Sequence, residues 1–107
     1  MSEKMSGVSP AFQTFLDEAP KHAGAWMGAV RGLDAAGSLD TKTAHLAYLA
    51  VLAALRLETG VPFHVTLAKA AGSTRDEVIS AVLVGLPAAG LGVTQALPPA
   101  LRAYDAA

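Results

Sequence analysis

Apolar residues recur every three or four positions along nearly the whole chain, and no stretch alternates at period two. The pattern predicts helices throughout and no sheet. Caps and breakers mark where they start and stop. Ser9-Pro10 reads as an N-cap followed by a first-position proline, opening a short helix to about Glu18. Pro20 opens a second helix, to about Ala36, where Gly37 stops it. Asp40 caps a long third helix from Thr41 to about Leu57. Gly60 and Pro62 start a fourth, to Ala71, and Gly72 ends it. Thr74 and Glu77 form a capping box for a fifth, which runs toward Pro87 and is ended or kinked there. The remainder reads as one or two short helices with Pro98-Pro99 between them. The expected fold class is all-α, with about six helices in one domain over residues 9–107 behind a polar arm at residues 1–8.

Two faces stand out. Gly24, Gly28 and Gly32 fall on one side of the second helix, where each glycine costs up to about 1 kcal/mol relative to alanine. Close approach of another backbone is the expected return. On the fourth helix His64 shares a stripe with Leu67, Ala68 and Ala71, opposite the polar Thr66 and Lys69. An inward histidine is expected to be hydrogen-bonded, and its pKa to be open to displacement, which makes His64 either a satisfied core residue or a proton-handling group.

Composition narrows the classes. The chain has 107 residues, 16% of them charged, and a mean hydropathy of +0.40. So small a domain has too much surface to hide that apolar content alone, so association with copies of itself is expected. A net charge of −1 gives no electrostatic footprint for nucleic acid. Cysteine is absent, which excludes disulfides and thiolate chemistry. The first ten residues contain no apolar signal-peptide core. Residues 78–101 carry no charge, but five interruptions by glycine or proline argue against a membrane span. A cytoplasmic protein without membrane or nucleic-acid partners is expected.

The three histidines, His22, His45 and His64, have no metal-ligand spacing, and no metal or other cofactor is expected. Neither a G-x-S-x-G elbow nor a phosphate-binding glycine loop is present. The chemistry on offer lies around "RLETGVPFH", residues 56–64. Gly60 permits a bend and Pro62 fixes the first turn of a new helix. Free N–H groups and the helix dipole make that corner electropositive, and Arg56 adds to it. Such a corner suits a small anionic ligand. Burial and positive surroundings both lower the pKa of His64 and favour the neutral imidazole.

The run "LDTKTAHLAYLAVLAAL" continued by "RLETGVPFHVTLAKAAGSTRDEVISAVLVGLPAAG", Leu39 to Gly90, resembles the carboxymuconolactone decarboxylase and alkylhydroperoxidase D-like family. The resemblance implies an alkylhydroperoxidase D-like bundle built on a central helical hairpin and assembled as a homotrimer or homohexamer. The peroxidase branch of that family carries a glutamate, eleven residues, C-x-H-C, three residues and a histidine. Placed by its last histidine, that pattern keeps His64 but puts His45 in the glutamate slot. Leu57 and Gly60 fill the two cysteine slots and Thr59 the histidine slot between them. Attack on a peroxide needs a thiolate and its resolution a second thiol.

Two functions fit these residues. One is a non-redox lyase or isomerase acting on a small organic acid or lactone. His64 and His45 would be its acid-base groups, and Arg56, Glu58, Thr59 and Tyr48 would line the substrate pocket. The other is an inactive oligomeric binding or scaffold protein on the same fold. Under either, the chain is expected to show no thiol-dependent peroxidase activity. Turnover of an organic hydroperoxide by metal-free, catalase-free protein would contradict this.

Overall fold

A computed structural model describes residues 7–107, so residues 1–6 of the expected polar arm lie outside the described residues. The elements are α1 (Pro10–Glu18), α2 (Pro20–Ala36), α3 (Thr41–Ala54), a 3-10 turn at Glu58–Gly60, and α4 (Val61–Ala70). They continue with α5 (Arg75–Leu83), the single turn α6 (Leu86–Ala89), a 3-10 stretch at Leu91–Ala96, and α7 (Leu97–Ala106). Among the described residues there is no strand, and the all-α expectation holds. The chain divides into two compact units, Met1–Leu39 and Asp40–Ala107.

In the first unit Ser9 Oγ accepts the N–H of Phe12 at 3.1 Å and Pro10 occupies the first helical position. Ala19 leaves helical geometry, and Pro20 restarts the chain as α2. Within α2 only Ala23 is buried. A Cβ added at Gly24, Gly28 or Gly32 would meet nothing within 4 Å. Among the described residues of this unit, nothing makes the expected close approach. Trp26, Val30 and Leu33, spaced four and three apart, form an exposed apolar row on the same helix.

The second unit holds the core. Leu49, Leu52 and Ala53 of α3 meet Val61, Val65 and Ala68 of α4; Val78 and Val82 of α5, Val93, and Ala100 of α7 close around them. Most of these side chains are valine or alanine, small enough for helices to approach closely. Asp40 Oδ1 caps α3 through the N–H of Thr43 at 2.8 Å. Thr74 and Glu77 make the expected capping box on α5. Lys69 reaches the far end of α7, donating to the carbonyls of Tyr104 and Ala107 at 2.8 Å each. The Tyr104 hydroxyl donates to the Ser73 carbonyl at 2.9 Å, and Arg75 grips Asp105 with two nitrogens at 2.9 and 3.1 Å. Among the described residues, Ser73 Oγ is buried without a hydrogen-bond partner, and nothing in the structure explains it.

Two boundaries differ from expectation. α3 stops at Ala54 rather than near Leu57, because Arg56 adopts a left-handed φ of 62°. The Leu57 N–H then turns back to the Leu52 carbonyl at 2.9 Å, and that of Arg56 to Ala53 at 3.3 Å. α4 ends in the same motif, with Gly72 at φ 96° in the corresponding place and Ser73 N–H bonded to the Ala68 carbonyl at 3.0 Å. Pro98 and Pro99 do not separate two helices. They lie in the first turn of α7, where backbone N–H groups have no intrahelical acceptor and nothing is lost by their absence. The uncharged run at 78–101 is cut into short elements, and among the described residues no helix is long and apolar enough to cross a membrane.

Gly72 and Gly28 separate backbone strain from packing. An added Cβ meets nothing at either position, but only Gly72 has a positive φ. Gly72→Ala is expected to cost about 1–2 kcal/mol in urea unfolding. Gly28→Ala is expected to stabilise α2 by up to about 1 kcal/mol. A loss of stability at Gly28 instead would place another backbone against that face.

Candidate functional site

The sharp end of α3 and the 3-10 turn bring the chain back so that α4 begins beside the helix it has just left. Val61 anchors that start in the core with no exposed surface. Three residues on, His64 is half-buried. Its ring lies 4.4 Å from that of Tyr48, tilted by 43°, and 5.4 Å from that of Phe63 in an edge-on contact at 86°. Such contacts hold an imidazole in place without supplying a hydrogen bond. Burial lowers the pKa of His64 below its ordinary 6.5, and the positive charge that His45 can carry lowers it further. Both effects favour the neutral ring at pH 7. The positive neighbour is thus His45, one turn before Tyr48 on α3, rather than Arg56.

Arg56 is engaged elsewhere. Its Nε donates to Glu58 Oε1 at 2.8 Å. The guanidinium also lies over Gly92, where an added Cβ would come within 3.2 Å of Nη1. The Arg56 hydrogen bond, with one from its own backbone, holds the Glu58 carboxyl below the usual carboxylate range. Glu58 and Thr59 border an open groove of about 510 Å³ together with Pro62, Gln95, Pro99 and Arg102. Pro62 and His64 are two residues apart on α4, about 200° around the helix, so the groove and the His64 ring occupy different sides. The six candidate residues therefore form two groups. His45, Tyr48 and His64 gather on one side of the hairpin, and Arg56, Glu58 and Thr59 on another.

A second open groove, of about 600 Å³, runs between α3 and α5 over Leu46, Ala47, Ala50, Ala81 and Val84. Glu77 at its edge pairs with Lys42 at 2.8 Å. Sequence reasoning missed Arg102 and Gln95, which lie far along the chain from Thr59. The available signal was thin: Arg102 is the sole cation after Arg75. At the two slots that hold thiols in the peroxidase pattern, Leu57 is half exposed and Gly60 abuts the Leu52 side chain. Among the described residues no three histidine, aspartate or glutamate side chains converge to hold a metal ion.

A family model described as Carboxymuconolactone decarboxylase family matches residues 20–103. Comparison with curated proteins and with solved structures returns no match. The matched span is wider than the stretch of resemblance in the sequence, and runs from α2 into α7 across the whole α3–α4 hairpin and both groups of candidate residues. The chain belongs to the carboxymuconolactone decarboxylase family.

Proposed function

We propose that this chain is a cofactor-free, non-redox member of its family that moves a proton at His64, as a lyase or isomerase of a small organic acid or lactone. The observation that carries the proposal is the His64 ring itself, half-buried between Tyr48 and Phe63 with a second histidine close enough to depress its pKa. A neutral imidazole takes a proton from carbon beside a carbonyl and becomes an imidazolium. Burial and His45 disfavour that imidazolium, so it returns the proton readily to a neighbouring carbon or leaving group. In this scheme His64 is the acid-base group, His45 tunes it, and Tyr48 bounds the substrate on the exposed side. Arg56, Glu58 and Thr59 take no part in this scheme: Arg56 is engaged with Glu58, and Glu58 and Thr59 border the other groove.

A second reading has its own observation. Tyr48 and Val51 follow one another on α3 at helical spacing, and Leu55 continues the row just past its end, each with about half or more of its surface exposed. That row suits an oligomeric binding or scaffold protein without catalysis. In either case we expect three or six chains per assembly. A stable monomer in sedimentation at micromolar concentration would remove that expectation.

The titration of His64 tests the first reading. His64 binds its proton more weakly folded than unfolded, so its contribution to stability is complete above about pH 6.5 and is lost as the pH falls toward the folded value. Its NMR midpoint is expected below 6.5, rising in His45→Ala. His64→Gln is expected to flatten the acid side of the stability profile and to abolish turnover in a screen of small acids and lactones. A midpoint at or above 6.5, with full turnover retained by His64→Gln, defeats the proposal.

A further inference from the structure

We propose that the groove between the Glu58–Gly60 turn and the start of α7 is a binding site for a small carboxylate with a flat apolar body, separate from His64 and independent of its chemistry. The groove is walled by Pro62, Pro98 and Pro99 and bordered by Thr59, Gln95 and Arg102. Pyrrolidine rings have no rotamer freedom to lose, so an apolar ring laid against them meets walls that are already ordered. The groove is open, with about 510 Å³ of space along it, room to lay a small ring against those walls.

Charge selects the ligand. Glu58 is the groove's one acidic side chain, and Arg56 neutralises it from behind at 2.8 Å. Arg102 has no ion-pair or hydrogen-bond partner among the described residues, whereas Arg56 and Arg75 are both paired. The balance at the groove is therefore one uncompensated guanidinium, a fork that matches a carboxylate with two parallel hydrogen bonds. The Thr59 hydroxyl and the Gln95 amide likewise make no side-chain hydrogen bond among the described residues. Three uncommitted polar groups thus border one apolar trough, which is the composition of an orienting site rather than of a sealed surface.

Benzoate is the probe. In NMR titration of the intact protein it is expected to perturb Thr59, Gln95 and Arg102 and to leave Tyr48 and His64 unmoved. Benzamide keeps the ring without the charge and acetate the charge without the ring. Each is expected to bind about tenfold more weakly, as is benzoate to Arg102→Ala, with Arg102→Lys between that variant and the parent. The Arg102 side chain is exposed, and far-UV circular dichroism shows whether each variant is folded. Four results would overturn the proposal: equal binding of benzoate and benzamide, unchanged affinity in folded Arg102→Ala, perturbations centred on His64, or none at all. The last is what a second copy of the chain covering the groove would produce.

Discussion

The hydrogen bond from the Leu57 N–H back to the Leu52 carbonyl sets the geometry of the second unit. It ends α3 in a left-handed turn at Arg56, a conformation that a side chain with a Cβ adopts at a cost of about 1 kcal/mol. Once that turn is made, Gly60 lands against Leu52, Val61 enters the core, and α4 runs beside α3. His64 then meets Tyr48, and Glu58 comes within reach of Arg56. The Arg56–Glu58 pair and the contact of Arg56 with Gly92 accompany the strained backbone, so strain and side-chain engagement sit at one residue.

The starts of α1, α3 and α5 were legible in the sequence because each is fixed by a side chain acting within four residues: Ser9, Asp40, and Thr74 with Glu77. The end of α3 was not, because nothing local marks an arginine as left-handed, whereas Gly72 announces the equivalent turn after α4. Proline was read as a separator at residues 98 and 99, but its missing N–H is equally at home in a first turn. For the site, helical geometry put His64 opposite Thr66 and Lys69, but the core face of α4 is Val61, Val65 and Ala68, and His64 lies half-buried beside it. Grouping the other candidates required tertiary packing, since Arg56 left the helix on which it had been counted and Arg102 arrives from α7.

The same hairpin carries neither of the thiols on which the peroxidase pattern depends. The two thiol slots hold an exposed leucine and a glycine packed against a core side chain. The glutamate slot holds a histidine. A carboxylate beside His64 would raise its pKa and favour the imidazolium, whereas His45 lowers it. Burial lowers the pKa of His64 first, and a histidine in that slot adds to the effect where a carboxylate would oppose it.

The clasp on α7 has a consequence for how the second unit comes apart. Lys69, Ser73 and Arg75, all near the α4–α5 turn, hold Tyr104 and Asp105 across 30 or more residues of intervening chain. Fastening that loop carries an entropic cost, met only when several of these bonds form together. α5, α6 and the Leu91–Ala96 stretch lie inside the closed loop, and Val78, Val82 and Val93 within it share one core with Val65 and Ala68 of α4. Releasing α7 would uncover that core and free its neighbours at once. The amides of α4, α5 and α7 are therefore expected to open together in hydrogen exchange rather than helix by helix.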